Sequence, residues 1–282
     1  MISSRKNPRI VTTRKLGQRK HRQKLNLLLA EGLQILSMAM DCRQRGNERH
    51  IVPVDVFYCR ERFRSPVAET LLQRLSDAGA EPTPVADHVL DALSERETSQ
   101  GLVATFRLRP LERPIAELSS DVQDGPILVL DRLQDPGNLG TLIRTADAVG
   151  AHGVVLIEPC VDPYDPKTVR STMGSIFSVP LARASDVNSV FGWLRRDGRR
   201  AVGADVGVDR PVWDTNALAG RIGLFLGNEA RGLSDDVRSG IEAFVGLPMA
   251  GSAESLNVAV AGGVLLYEWI RTNRPAATRF SA

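Results

Sequence analysis

Three times in the second half of this chain, an unbroken apolar run gives way to a loop of small and polar residues and then to a helical pattern. Ile127-Leu128-Val129-Leu130 leads through Asp135-Pro136-Gly137-Asn138-Leu139-Gly140 into a helix expected over 139–149. Ile222-Gly223-Leu224-Phe225-Leu226 runs directly into Gly227-Asn228-Glu229-Ala230-Arg231-Gly232-Leu233-Ser234. Ala243-Phe244-Val245 is followed by Leu247-Pro248-Met249-Ala250-Gly251-Ser252-Ala253-Glu254-Ser255-Leu256-Asn257 and a last helix. That helix carries a stripe of Leu256, Val260, Val264, Tyr267 and Ile270. Residues 154–157 and part of 200–206 supply two more strands. Strands without polar alternation are buried on both faces, so the pattern predicts an α/β domain built on a mostly parallel sheet.

A nucleotide-binding Rossmann domain is the obvious competitor. Its first strand should enter G-x-G-x-x-G, with an acid some 20 positions later. Here Leu130 leads instead into Asp131-Arg132-Leu133-Gln134-Asp135-Pro136-Gly137-Asn138, where the glycine spacing fails, and no P-loop pattern occurs. Glycines cluster after the later strands, which places a ligand pocket late in the chain.

Each junction has a plain structural explanation beside a chemical one. Asn138 can cap its helix or position a substrate through its amide. Arg144, six residues on, sits on a different helical face; a surface ion pair and an anion contact are both open to it. Gly227 permits close backbone approach to a ligand and Gly232 a turn closed to other residues. Glu229 can accept a hydrogen bond from substrate or brace its own loop. Ser252 or Ser255 can cap the last helix, whose first amides are also free to meet ligand oxygens.

The first half is less regular. Residues 54–59 and 101–106 predict strands, and 67–75 a helix with Pro66 at its start. Residues 25–40 read as an amphipathic helix with a stripe of Leu29, Leu33 and Leu36. An interdomain linker is expected within 107–125, with domains of about 1–110 and 120–275, and the end from Pro275 reads as frayed. Nine basic residues, Arg5, Lys6, Arg9, Arg14, Lys15, Arg19, Lys20, Arg22 and Lys24, precede the first acid, Glu31. The net charge of the whole chain is only +3, so the rest is mildly acidic. A basic arm on such a body suits a localised contact with a polyanion. Cys42, Cys59 and Cys160 are scattered, which points to reduced thiols rather than disulfides or zinc. No apolar run approaches the roughly 20 residues of a membrane span.

Taken together and in this order, the three junctions closely resemble the signature of the SpoU (TrmH) family of RNA 2′-O-ribose methyltransferases. None of His21, His50, His88 or His152 falls within the three junctions, which disfavours a metal-dependent mechanism. The resemblance implies S-adenosylmethionine as methyl donor. It implies catalytic or substrate-positioning roles for Asn138, Arg144, Glu229, Ser255 and Asn257, with Arg144 meeting RNA phosphate or ribose. A guanidinium stays protonated, so Arg144 acts better as a phosphate anchor and an electrostatic aid to 2′-hydroxyl ionisation than as a base. The cofactor pocket is expected around Leu226, Gly227, Asn228, Leu247 and Leu256; Asp205 can face adenosine or ribose, although the sequence alone favours a structural loop acid. Arg170-Ser171-Thr172-Met173-Gly174-Ser175 resembles another family loop expected to receive RNA.

The same resemblance implies a knotted SPOUT-type catalytic domain and a smaller, ribosomal L30-like RNA-binding domain. RNA contacts are expected from Arg14, Lys15, Arg19, Lys20, Arg22 and Lys24. The resemblance also implies a homodimer with sites near the interface, and the scattered thiols fit an expected cytoplasmic location. Structured large-subunit ribosomal RNA is the preferred substrate, with transfer RNA as the same-class alternative and a noncatalytic RNA-binding assembly protein as the different-class one. Some branches protect ribosomes against antibiotics, which leaves a resistance role open.

Overall fold

A computed structural model describes residues 1–94, 99–118, 125–208 and 211–273. Part of the expected linker (119–124) and the tail from Pro275 lie outside them. The chain divides into two compact units. One comprises Met1–Glu112 with Asp162–Ser178, the other Arg113–Val161 with Val179–Ala282.

In the first unit, the basic segment folds as helices rather than an extended arm. Asn7 accepts the Arg9 N–H at 2.9 Å and caps α1 (Pro8–Arg14), and α2 (Arg19–Leu25) stops at left-handed Asn26. The stretch 25–40, expected as one helix, splits into β1 (Leu27–Glu31) and α3 (Leu33–Cys42). Two forces override the helical stripe: Gly32 has φ 98°, and all five β1 residues pair antiparallel with a later strand. The unit continues through β2 (Pro53–Tyr58), α4 (Pro66–Asp77), β3 (Glu81–Pro84), α5 (Asp87–Leu93) and β4 (Leu102–Arg107). The sheet order is β1-β4-β2-β3, and Ile10, Phe57, Val89, Leu90 and Val103 meet in a core beside it.

The second unit is the parallel sheet that the apolar runs predict. Its elements begin with β5 (Ile127–Asp131), α6 (Pro136–Ala148) and β6 (Gly153–Ile157). The chain then leaves the unit: Asp162–Ser178, with α7 (Pro166–Ser171), belongs to the first unit. It returns through β7 (Leu181–Ala184), α8 (Val187–Arg196), β8 (Arg200–Ala204), β9 (Ile222–Leu226), α9 (Asp235–Gly240), β10 (Ala243–Val245) and α10 (Val258–Asn273). All five pairings in the order β10-β8-β9-β5-β6-β7 are parallel. One sheet face packs Val129, Val155 and Phe225 against Phe191, Trp193 and Leu194 of α8, with the Phe191 and Phe225 rings stacked at 5.1 Å. On the other face α10 comes close: a Cβ on Gly262 would lie 2.5 Å from Leu142 and 2.6 Å from Leu226.

The buried face of α10 is not the stripe expected from sequence. Gly262, Leu265, Leu266 and Trp269 are buried, whereas Val260, Val264 and Tyr267 are 52%, 43% and 56% exposed. A helix that is apolar nearly all round gives periodicity no single face to select.

Candidate active site

Because the sheet is parallel, β5, β8, β9 and β10 all end along one edge, where open α/β sheets bind their ligands. Three loops leave that edge: 132–135, 227–234 and 246–257. One chain of side-chain hydrogen bonds joins them. Asn257 Nδ2 donates to Asn138 Oδ1 at 2.9 Å, and Asn138 Nδ2 donates to Glu229 Oε1 at 3.1 Å. The Glu229 carboxylate also accepts the N–H groups of Gln134 (3.2 Å) and Asp135 (3.1 Å). One residue from each sequence junction therefore takes part. Burial pulls the Glu229 carboxyl upward, but hydrogen bonds from its own backbone, Asn138, Asp135 and Gln134 outweigh it and hold the group below the usual carboxylate range.

The caps fall elsewhere than expected. Asp135, not Asn138, caps α6 by accepting the Asn138 N–H at 2.8 Å, which leaves the Asn138 amide for the chain just described. Asn257, rather than Ser252 or Ser255, accepts the Ala259 and Val260 amides at 2.9 and 3.3 Å at the start of α10. Ser255 is exposed. Leu256 is 40% exposed and Leu247 partly buried, while Leu226 is buried in the core and can meet a ligand only through its backbone. Among the described residues, no backbone N–H from Leu247 to Asn257 has a hydrogen-bond partner.

The second loop is closed on itself. Asn228 and Gly232 exchange two backbone hydrogen bonds of 2.9 Å, and Gly232 has φ 66°. A Cβ on Gly227 would lie 2.1 Å from the Gly232 carbonyl carbon. Arg144 is exposed on α6 and makes no hydrogen bond or ion pair among the described residues. Asp205 gives one carboxylate oxygen to Arg238 Nη2 at 2.5 Å, and that guanidinium also lies over Phe244.

Comparisons with known proteins bear on what this edge does. The model of the SpoU rRNA methylase family matches residues 125–267, half of the chain. The chain is 35% identical to the 23S rRNA (uridine(2479)-2'-O)-methyltransferase of Streptomyces viridochromogenes, over 91% of this chain and 86% of that protein. The chain belongs to the SpoU rRNA methylase family. A second relative, the 23S rRNA (guanosine(2553)-2'-O)-methyltransferase RlmP of Bacillus subtilis, is 30% identical over 94% of this chain and 97% of its own length. Among solved structures, an AdoMet-bound rRNA methyltransferase from Sinorhizobium meliloti superposes with a TM-score of 0.82 at 32% identity, covering 96% of this chain and 97% of that one. Residues 7–104 match an MRM3-like substrate binding domain. Among the described residues no helix is long and apolar enough to cross a membrane.

In this SpoU chain the basic residues of the first unit are not equivalent. Arg14, Lys15, Arg19, Lys20 and Lys24 are exposed. Arg22, expected with them at an RNA surface, is 1% exposed and donates to Asp162 Oδ2 at 2.6 Å and to the Leu16 carbonyl at 2.7 Å. Arg9 is likewise spent on Asp55 and Glu81. Arg170, on the loop expected to receive RNA, lies 4.0 Å from the buried Glu31 carboxylate.

Sequence reasoning missed Asp131. It ends the apolar run of β5, is fully buried, and accepts the Ser234 N–H at 2.6 Å and Arg132 Nε at 3.1 Å. Arg132 is left-handed (φ 57°), and its carbonyl accepts Asn228 Nδ2 at 2.9 Å. The available signal was an acid closing a strand buried on both faces, where a carboxylate needs partners.

Proposed function

We infer that this chain methylates the 2′-oxygen of a ribose in ribosomal RNA, using S-adenosylmethionine. The observation that carries the reading is the Asn257–Asn138–Glu229 chain, which fixes three loops at one sheet edge; Arg144, exposed on α6, has no partner among the described residues. When bound, S-adenosylmethionine supplies an electrophilic methyl group. The residues present fit it: unpartnered amides between Leu247 and Asn257 and the half-exposed Leu256 side chain offer polar edges and apolar surface together. Leu226, Gly227, Leu247 and Leu256 would hold it chiefly through backbone.

The protein's own contribution is positioning and charge. Glu229 and Asn138 hold the start of α6 against the cofactor loops. Arg144 then presents a fixed positive charge to the phosphate and ribose, favouring the 2′-oxygen as it loses its proton. Ser255 is exposed where the third loop meets α10 and is available to the substrate. Residues 1–110 bind RNA in this scheme and 120–275 carry out transfer. The exposed Arg14, Lys15, Arg19, Lys20 and Lys24 support the first part, and the family model and both named relatives favour ribosomal RNA over transfer RNA. Incubation with labelled S-adenosylmethionine and bare large-subunit rRNA, ribosomes or tRNA tests it. Label in a ribose 2′-O-methyl of rRNA is expected; no label in any RNA defeats the reading and favours a noncatalytic RNA-binding role.

We also propose a homodimer in the cytoplasm. Val260, Val264 and Tyr267 form an exposed apolar stripe that begins beside Asn257, so a second copy seated there would lie against the active loops. Val264→Glu with Tyr267→Glu should yield monomers in sedimentation; an unchanged mass would refute the interface. We further propose the family's trefoil knot, supported by the path of 246–257 from edge strand β10 across to place α10 on α6. An experimental chain trace checks it.

A further inference from the structure

We propose that Arg132 and Arg231 form a phosphate clamp that holds the RNA backbone beside the target ribose, separately from Arg144. The proposal rests on the RNA-methyltransferase reading and extends its substrate site.

An arginine carries five N–H donors in a planar fork. Arg132 spends only Nε, on the fully buried carboxylate of Asp131, while its side chain stays 34% exposed. Its backbone is fixed as well, since the carbonyl accepts Asn228 Nδ2. The left-handed conformation at Arg132 costs about 1 kcal/mol or more for a residue with a Cβ. Such strain persists where the surroundings over-determine it, and often at binding sites. The two terminal nitrogens meet no acceptor among the described residues.

Arg231 is rooted on the same amide. Asn228 Oδ1 accepts the Arg231 N–H at 3.1 Å, so one asparagine ties both arginine backbones together. The exposed Arg231 guanidinium also has no partner among the described residues. The loop's carboxylate, Glu229, is engaged by Gln134, Asp135 and Asn138 and forms no ion pair with either arginine among the described residues. Other exposed arginines, such as Arg14, Arg45 and Arg64, also lack a side-chain partner among the described residues, so the shared anchor on Asn228 is what singles out this pair. Two forks anchored on one asparagine, with terminal nitrogens that meet no acceptor among the described residues, therefore mark an oxyanion surface.

The number of forks decides which oxyanion. S-adenosylmethionine offers one carboxylate, whereas an RNA strand offers a phosphate at every nucleotide. Bidentate guanidinium–phosphate contacts match the repeated oxyanions of the strand.

The test is the salt dependence of binding by the full chain to a short single-stranded oligouridine, followed by fluorescence anisotropy. Each neutralised phosphate contact contributes a slope of about 0.7 in log affinity against log salt for a single strand. Arg132→Gln and Arg231→Gln should each lower the slope by about 0.7 and the double variant by about 1.4, with S-adenosylmethionine affinity unchanged. Arg132→Lys should keep the slope but bind RNA more weakly, because the fork and its Nε brace are lost. A wild-type slope in the double variant overturns the clamp. So does weakened cofactor binding with the RNA slope intact, which would assign the forks to the cofactor carboxylate. If the wild-type chain methylates no RNA, the reaction is misassigned, while the slope comparison still decides whether the clamp exists.

Discussion

Gly227→Ala isolates the steric demand of the second loop. The added Cβ would fall 2.1 Å from Gly232 C, 2.3 Å from Leu233 N and 2.4 Å from Gly232 O. All three are backbone atoms, so no side-chain rotation relieves the contact. The loop must open, at about 1–3 kcal/mol for overpacking. Opening also breaks the two 2.9 Å hydrogen bonds between Asn228 and Gly232, worth about 0.5–1.5 kcal/mol each. The expected local cost is about 2–6 kcal/mol. At 1.4 kcal/mol per factor of ten, that is roughly a 30-fold or greater rise in loop opening.

Gly232→Ala supplies the control. Its φ is also unfavourable for alanine, but nothing lies within 4 Å of a new Cβ, so only the left-handed cost of about 1–2 kcal/mol applies. Hydrogen exchange at the Asn228 and Gly232 amides, with calorimetry of S-adenosylmethionine binding, measures both effects. Gly227→Ala should lose amide protection and cofactor affinity together, and Gly232→Ala should lose much less. Equal behaviour of the two variants, or wild-type protection in Gly227→Ala, would refute the steric argument and the placement of the cofactor against this loop.

Arg144→Ala should preserve folding and cofactor binding while sharply lowering methyl transfer at saturating RNA, and Arg144→Lys should recover only part of it because the planar fork is missing; near-normal single-turnover transfer by the alanine variant would remove Arg144 from the mechanism. Arg22→Ala leaves the buried Asp162 carboxylate without its main charge partner and should destabilise the first unit by about 3–5 kcal/mol in denaturant unfolding, whereas Arg22→Met with Asp162→Leu should recover most of that loss. Glu229 has a depressed carboxyl pKa, so its stabilisation is complete above the unfolded range near pH 4.3 and is lost as the pH falls through the lower folded value. The Asn138 side-chain amide resonances should therefore stay native as the pH passes below about 4.3 and shift only at lower pH; a midpoint at or above the ordinary value would contradict the hydrogen-bonded arrangement.

What was legible in the sequence followed from burial. Residues 127–130 and Ile222–Leu226 are apolar throughout because both sheet faces are covered, and that pattern needs no tertiary knowledge to recognise. Where two periodicities compete, local pattern failed. Leu27–Glu31 fits a helical stripe as well as a strand, and only pairing with Leu102–Arg107 decides it. The short β7, with Arg183 in it, was too brief and too polar to stand out. Charge was equally ambiguous: Arg22 is one of nine basic residues in a row of candidates, and nothing before Glu31 reveals that its partner is Asp162, 140 positions away.

The site shows the same division. The loops that hold the three junctions were visible as composition, but the bonds among them were not, since Asn257, Asn138 and Glu229 are separated by up to 119 positions. Asp131 makes the point most sharply. Its neighbours made it look like the first residue of a loop, yet it is the buried acceptor that ties Ser234 to Arg132. A carboxylate can be tolerated at that depth only with such partners. Its presence at the end of an apolar strand therefore implies a second segment folded over it, and here that segment is the end of the Gly227–Ser234 loop.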